Sequence, residues 1–188
     1  MRRAAGILFW LGGEGNMSCT IRPLRDEDRS AVREIFNHYV VHGTAAYTED
    51  PVSGEFTERM TAAALDGGAW VAEKEATVVG FALLRPYSSH STFSHTAVVT
   101  YFIAPQSTRS GIGSLLLARL VEGARSHGVE TILAHISSDN APSLAFHRRH
   151  GFVECGRFRS IGRKRGRTFD VVWMQRMLDV KPPQGDLP

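Results

Sequence analysis

The stretch that decides the fold of this chain is Val98-Val99-Thr100-Tyr101-Phe102-Ile103-Ala104-Pro105. It is followed by a polar loop from Gln106 to Gly113. Its first six residues are all β-branched or aromatic, a composition that predicts a buried strand. Pro105 predicts the end of that strand, because proline cannot donate to a sheet ladder. Beyond the loop, apolar residues recur at helical spacing and predict a helix with one buried face. They are Leu116, Leu117, Leu120, Val121 and Ala124.

The glycine loop Arg109-Ser110-Gly111-Ile112-Gly113 allows two interpretations on its spacing. Between a strand and a helix, free backbone N–H groups and the helix dipole converge on a phosphate, and Arg109 adds positive charge. The alternative is a plain tight turn, in which glycine merely supplies an unusual φ. The loop is not a P-loop, since no Gly-Lys-Ser/Thr follows, and the third glycine of a dinucleotide fingerprint is missing.

Composition and charge narrow the class of protein. The chain has 188 residues, 43% hydrophobic and 22% charged, which predicts one globular domain with a sizeable core. The formal net charge is +3, and the excess of cations falls near the end, at Arg157, Arg159, Arg163, Lys164, Arg165 and Arg167. This basic cluster lacks interleaved aromatic residues on an obvious helix, so we favour a solvated hairpin or an anionic small molecule over nucleic acid as its partner.

The two ends are expected to lie outside the domain, which we place at residues 17–178. Residues 1–16 are similar to a secretory signal, but their apolar run is short and a cleavage site is missing. We therefore expect either a disordered extension or a translation start assigned too far upstream of Met17. Residues 179–188 are expected to form a disordered tail. Cys19 and Cys155 give no disulfide framework, which predicts reduced thiols in a cytoplasmic protein, and we expect no membrane association.

The remaining segments predict an α/β protein with a mixed sheet. In order they are a strand at Thr20–Leu24, a helix capped by Asp26 and ended by Gly43, a helix at Glu55–Leu65, a hairpin at 69–84, a strand at Thr131–Ile136, a helix at Ala141–His150 capped by Asp139 or Asn140 and ended by Gly151, and a final hairpin at 152–177.

Two motifs at this separation resemble the GNAT superfamily of acetyl-CoA-dependent N-acetyltransferases over roughly residues 18–178. The first is the central strand with the loop Arg109 to Gly113, and the second runs from Asn140 to Phe152. Within the superfamily the chain is most similar to the phosphinothricin and methionine sulfoximine acetyltransferases. The residues behind this narrower resemblance are Ile35-Phe36-Asn37, His147, Gly162-Arg163-Lys164 and Phe169-Asp170. The resemblance implies a single-domain fold with a mixed, mostly antiparallel sheet, a splayed central strand pair and about four helices.

The resemblance also implies acetyl-CoA as co-substrate. The histidines lack carboxylate partners at the spacing of a zinc site, so we expect no metal. The central strand is expected to splay from its neighbour after a bulge, so that backbone N–H groups near Phe102 and Ile103 face the pantetheine and the thioester oxygen. Thr108 stands where the family usually has Gln or Arg. The residues expected to bind acetyl-CoA are Tyr101, Phe102, Ile103, Thr108, Arg109, Ser110, Gly111, Ile112, Gly113, Ser114, Asn140, Ser143 and Phe146.

The candidates for acid–base work are few. Val98 stands where the subfamily usually carries a Glu that accepts a proton through water. His147 has an ordinary pKa suited to proton exchange, and the alternative is that it only packs between helix and cofactor. Thr100 or Tyr101 is a candidate for ordering a water, or else for sheet packing alone. His95, at the entrance to the central strand, is either a base or a loop histidine, and we favour the loop histidine.

The resemblance implies an acceptor that is a small amino acid or an analogue of the phosphinothricin or methionine sulfoximine type. The first candidate wall is Arg85 with Ser91, Thr92 and Phe93, and the second is Tyr47. An acetyltransferase for protein N-termini or polyamines and an acyl-CoA-binding module with little catalysis stay open as alternatives. A homodimer built through the last hairpin is expected, without nucleic acid as a partner.

Overall fold

A mixed sheet with helices on both faces forms the described part of the chain, residues 7–8 and 19–178 of a computed structural model. The strands are β1 Ile7–Leu8, β2 Thr20–Pro23, β3 Ala69–Lys74, β4 Thr77–Pro86, β5 Thr96–Ile103, β6 Thr131–Ser137, β7 Val153–Lys164 and β8 Arg167–Met177. The helices are α1 Arg29–Val41, α2 Gly54–Ala62, α3 Ile112–Ser126 and α4 Ala141–Arg149. Apart from Ile7–Leu8, which pair with β2, the expected extension and tail lie outside the described residues, and their disorder stays a prediction.

The order of strands in the described sheet is β1-β2-β3-β4-β5-β6-β8-β7, and the pairings are antiparallel except that of β5 with β6. That parallel pairing joins Thr96–Val98 to Thr131–Leu133 and goes no further. Beyond it β5 stays paired with β4 and β6 with β8, so the two strands separate. The mixed, mostly antiparallel sheet, the four helices and the splayed central pair are thereby confirmed. The register of β4 with β5 is continuous, so the expected bulge is not in that ladder.

Alternation along the strands assigns the side chains of β5 to two faces. Phe102 faces α1, where its ring meets Phe36 at a centroid distance of 5.2 Å. Tyr101 and Ile103 face the opposite side, toward α3 and α4. The core continues between the sheet and both helical layers, with Phe81, Leu83, Leu84, Leu116, Leu120, Ile132 and Met174 fully buried. Each such side chain contributes about 1.5–3 kcal/mol through burial.

Helix ends show where the sequence expectations hold and where they fail. Asn140 caps α4, since its side chain accepts the N–H of Ser143 at 3.2 Å. The predicted cap at Asp26 is wrong, because residues 26–28 form a 3₁₀ turn. The carboxylate of Asp28 accepts the N–H of Arg25 at 2.8 Å, and Arg22 on β2 holds it. The second helix also ends at Ala62 rather than at Leu65.

Candidate active site

A cavity of about 1030 Å³ opens where β5 and β6 separate. It extends from the N-terminal end of α3, past α4, to residues on the opposite face of the sheet. The parting of two strands in a sheet leaves backbone groups without a ladder partner, so this cavity has polar walls inside an otherwise apolar core. The splayed strand pair therefore creates the candidate site.

The ladder between β4 and β5 determines which backbone groups of β5 face the gap. Tyr87 donates its N–H to the carbonyl of Thr96 at 3.1 Å, and Ala104 donates to Val79 at 2.8 Å. In a continuous antiparallel register, residues alternate between facing one neighbour and the other. The N–H groups of Tyr101 and Ile103 therefore point into the gap, whereas that of Phe102 points to β4. The expectation of a gap-facing N–H at Phe102 is thus corrected, and its side chain lines the cavity instead.

The glycine loop forms one end of the cavity. The backbone is left-handed at Arg109, with φ of 61°, and at Gly111, with φ of 84°. Gly111 is the N-cap of α3. Its carbonyl accepts from Ser114 and Leu115, so the open N–H groups of the first turn are those of Ile112 and Gly113. A Cβ at Gly111 would meet no atom within 4 Å, whereas one at Gly113 would lie 3.2 Å from side-chain atoms of Ile103 and Phe146. This is a concave, donor-rich corner that accepts an anion.

The structure brings most of the predicted coenzyme residues together at this end. The cavity is lined by Tyr101, Phe102, Ile103, Thr108, Arg109, Gly111, Gly113, Ser114, Asn140, Ser143 and Phe146. The side chains of two other candidates point elsewhere: Ser110 donates to the carbonyl of Ser107 at 2.6 Å, and Ile112 is buried in the core. Only their backbone remains available to a ligand. Arg149, which the sequence analysis missed, adds a second cation to the lining.

His147 and Tyr101 form a largely buried hydrogen-bonded pair beside the gap between β5 and β6. The Tyr101 hydroxyl lies 2.5 Å from Nε2 of His147, and Nδ1 lies 2.8 Å from the carbonyl of Ser143. A carbonyl only accepts, so Nδ1 carries the proton and Nε2 accepts from Tyr101. Burial lowers the pKa of His147 to about 4 and raises that of Tyr101. The imidazole is therefore neutral and engaged at both nitrogens.

Arg85 marks the other end of the cavity, on the α1 face of the sheet. Its Nη2 donates to Oγ1 of Thr100 at 3.2 Å, while its Nε is buried with no hydrogen-bond partner. An unpaired buried donor costs about 1–3 kcal/mol. Burial lowers the pKa of Arg85, but a guanidinium stays charged in proteins. Arg85 therefore contributes a cation to the wall of the cavity.

Aromatic side chains surround this end. The ring of Tyr47 lies 5.5 Å from that of His135 and 5.8 Å from that of Phe169. Both Tyr47 and His135 also line a second cavity of about 490 Å³ beneath the β7–β8 hairpin. Of the two predicted substrate walls, Tyr47 and Arg85 are in place. Ser91, Thr92 and Phe93 form an exposed 3₁₀ turn and belong to neither cavity lining.

His135 and Trp173 are site residues that the sequence analysis missed. They are cross-strand partners on β6 and β8, and their rings lie 5.3 Å apart. The sequence offered one signal for His135, which is a polar residue within an otherwise apolar strand. Its neighbours could not be predicted, because they depend on the pairing of strands that are distant in sequence. Along the described residues, the charged side chains of the larger cavity are Arg85, Arg109 and Arg149, with no carboxylate among them.

The described residues contain neither a cluster of metal-binding side chains nor a helix suited to a membrane. Nowhere in 19–178 do three or more His, Cys, Asp or Glu side chains gather as a metal site would require. Of the four helices, none has the length and apolar character needed to cross a membrane.

Comparisons with known proteins agree with this geometry. The model of the acetyltransferase (GNAT) family matches residues 30–152. A phosphinothricin N-acetyltransferase of Alcaligenes faecalis is 34% identical over 86% of this chain and 84% of its own length. An L-methionine sulfoximine/L-methionine sulfone acetyltransferase of Salmonella typhimurium is 32% identical over 85% of this chain and 95% of its own.

Among solved structures, a phosphinothricin acetyltransferase of Sinorhizobium meliloti in complex with acetyl-CoA superposes with a TM-score of 0.79. It is 29% identical, and the match covers 90% of this chain and 96% of that one. The family match agrees with the gap between β5 and β6 and with the corner at which the glycine loop meets α3. This chain belongs to the GNAT family of acetyltransferases.

Proposed function

We propose that this enzyme transfers the acetyl group of acetyl-CoA to the amine of a small amino acid or an analogue of the phosphinothricin or methionine sulfoximine type. The observation that carries the proposal is Arg85, a half-buried cation in the wall of a cavity whose described lining contains no carboxylate. The names of the relatives described above support the same class of acceptor.

The coenzyme fits the end of the cavity at α3. A diphosphate is suited by the open N–H groups of Ile112 and Gly113, by the left-handed corner at Gly111 and by the cations of Arg109 and Arg149. When bound, acetyl-CoA supplies an acyl carbon activated as a thioester. The N–H groups of Tyr101 and Ile103 that face the gap are the candidate donors to the oxygen of that acyl group, and such a donor contributes on the order of 3–4 kcal/mol in acyl transfer.

The two predicted catalytic residues act, in this proposal, by positioning others. Thr100 accepts from Arg85 and thereby fixes the guanidinium at the acceptor end. His147 accepts from Tyr101 and holds that ring beside Phe146, with ring centroids 5.7 Å apart. Neither nitrogen of His147 is open to a substrate, so packing and orientation describe its contribution better than proton transfer.

The acceptor end favours an anionic group beside the amine. A carboxylate or phosphinate in the cavity would pair with the guanidinium of Arg85 through a charge-assisted hydrogen bond. A polyamine, which carries only positive charge, would meet Arg85 without any carboxylate from the described cavity walls. The second cavity, with Phe158, Ile161, Phe169 and Trp173 in its walls, offers room for an apolar side chain.

A thiol-release assay tests the proposal. Purified enzyme and acetyl-CoA are incubated with methionine sulfone, methionine sulfoximine, phosphinothricin, common amino acids, polyamines and short peptides. We expect amine-dependent release of coenzyme A with the amino-acid class. Binding of acetyl-CoA without release would favour the acyl-CoA-binding module, and turnover with polyamines or peptides alone would favour those alternatives.

Arg85→Lys and Arg85→Gln sharpen the test. Lysine keeps the charge but loses the planar guanidinium, and glutamine loses both. KM for the amino acid should therefore rise about 10-fold in Arg85→Lys and about 100-fold or more in Arg85→Gln. The affinity for acetyl-CoA, measured by calorimetry, should remain unchanged. An unchanged KM in Arg85→Gln would contradict the assigned role.

A homodimer and a cytoplasmic location complete the proposal. Phe158 and Ile161 on the edge strand β7 are 54% and 61% exposed, which supports their coverage by a second copy. Light scattering with the variant Ile161→Asp tests this, and a monomeric wild-type enzyme would contradict it. Cys19 and Cys155 are free thiols, which supports a reducing compartment.

A further inference from the structure

The reaction proposed above needs a group that takes a proton from the acceptor ammonium, and the described cavity walls offer no carboxylate for it. Val98, where related enzymes are expected to have a glutamate, is an apolar, buried side chain. His147 is neutral and engaged at both ring nitrogens. A different residue must therefore accept this proton, or the amine must arrive already neutral.

His135 lies on the same face of the sheet as Val98, two residues beyond the partner of Val98 on β6. Val98 pairs with Leu133, so these two side chains share a face, and His135 is the next residue of β6 on that same face. Thr100, the corresponding next residue of β5, holds Arg85 at the acceptor end. The imidazole of His135 thus borders the gap between β5 and β6, immediately beyond the point at which the two strands separate.

The contacts of His135 leave one ring nitrogen open. Nδ1 lies 3.5 Å from the hydroxyl of Tyr47, and Nε2 makes no hydrogen bond with any described residue. A donation from Nδ1–H to Tyr47 leaves the lone pair of Nε2 available. We propose that His135 is a catalytic residue that accepts the proton of the acceptor amine, an inference that rests on the function proposed above.

The groups around His135 keep it neutral before the reaction. Burial and the charge of Arg85 on β4 lower its pKa below the ordinary value of 6.5. Tyr47, in the loop after α1, has a pKa raised to about 12 by burial and stays protonated. Arg163 on β7 is the remaining charged group of the adjoining cavity. A carboxylate bound to Arg85 would offset its charge and stabilise the imidazolium that forms.

The proposed step balances in protons and electrons. The ammonium R–NH₃⁺ gives one proton to Nε2 of His135, and the neutral nitrogen forms a C–N bond with the acyl carbon. The C–S bond breaks, its electron pair goes to sulfur, and a second N–H proton of the former amine neutralises the thiolate. His135 then releases its proton to solvent. The products are the acetamide, free coenzyme A and one proton.

The pH dependence of kcat/KM tests this step, with the best amino acid from the thiol-release screen as substrate. Wild-type enzyme should show an acid limb with a midpoint below 6.5, since protonated His135 is inactive, followed by a plateau. In His135→Gln the plateau should disappear, and kcat/KM should rise continuously toward the pKa of the substrate's own amine. At pH 7, kcat should fall roughly 100-fold or more, while KM for acetyl-CoA should change less than about 3-fold.

His127→Gln is the matched control, because His127 caps the C-terminal end of α3 and borders neither cavity. It should keep the wild-type profile. The proposal is overturned if His135→Gln retains the plateau and a rate within about 3-fold of wild type, or if wild-type enzyme itself shows no acid limb. The wild-type profile needs no variant to fold. Absence of turnover with any amino acid would instead contradict the proposed function and remove the basis of this step.

Discussion

Single residues in this site take their roles from their hydrogen-bond partners more than from their type. His147 is buried and His135 is half-buried beside the gap between β5 and β6. Both ring nitrogens of His147 are engaged, whereas Nε2 of His135 is open. Arg85 is likewise defined by its unpaired Nε rather than by its charge alone. Which histidine handles a proton therefore follows from the carbonyl of Ser143, which fixes the tautomer of His147.

Gly111→Asp tests the loop-to-helix corner at the same scale. The substitution places a side chain at φ 84° and a negative charge where the diphosphate is expected. Affinity for acetyl-CoA should fall about 100-fold or more, measured by calorimetry. Gly128→Asp is the matched control, because Gly128 has φ of 68° and open space at the other end of α3. Equal affinities in the two variants would contradict the placement of the coenzyme.

At the scale of elements, the strand–loop–helix unit was predictable, because its strand composition, terminal proline and helical period all act locally. The splay was expected only through the resemblance, since it arises between two strands that are 35 residues apart from Thr96 to Thr131. Ser91 to Phe93 were misplaced for a related reason: loop residues follow a path set by tertiary contacts, and this segment turns away as an exposed 3₁₀ turn. His135 escaped notice because its neighbours come from three other elements.

Lys164 shows how the last hairpin supports the acceptor end. It is buried, and its Nζ donates to the carbonyls of Gly43 and Ala46, at 2.8 and 2.7 Å. These bonds join β7 to the loop that carries Tyr47. In Lys164→Met the two carbonyls lose their donor, so the free energy of unfolding should fall by about 2 kcal/mol and KM for the amine should rise about 10-fold.

The measurements for Lys164→Met are urea denaturation and steady-state kinetics. Lys74→Met, at the tip of the β3–β4 hairpin and outside both cavity linings, is the control for a lysine-to-methionine change. It should leave both quantities near wild type. If KM for the amine stays constant in Lys164→Met despite lower stability, the loop does not depend on this lysine for its position.

At the scale of the whole molecule, charge is distributed unevenly. The net charge is only +3, yet the larger cavity presents three arginines and no described carboxylate. The acidic residues lie instead on outer surfaces and in ion pairs such as that of Asp28 with Arg22, at 2.7 Å. Composition predicted one globular domain, but it contains no information on this separation, which depends on which side chains the fold turns inward. The same ion pair makes stability, as distinct from catalysis, depend on pH.

Asp28→Asn tests that dependence. Burial raises the pKa of Asp28, but hydrogen bonds from Arg22 and from the N–H of Arg25 outweigh it and hold the pKa below its ordinary value. A carboxyl whose pKa is lowered in the folded state stabilises the fold above its unfolded pKa, and this contribution is lost as the pH falls through the folded value. At pH 7 the amide should therefore lower the free energy of unfolding by about 2–3 kcal/mol.

As the pH falls below the ordinary carboxyl pKa of 3.8 and through the lowered pKa of folded Asp28, the difference between Asp28→Asn and wild type should shrink, because the charge of the carboxylate then ceases to favour the folded state. Urea denaturation across this pH range measures it. Asp26→Asn provides the comparison: Asp26 is 89% exposed in its pair with Arg29, and such surface pairs contribute no more than about 1 kcal/mol. A loss in Asp28→Asn that is the same at pH 7 and pH 3 would show that shape, rather than charge, makes Asp28 stabilising.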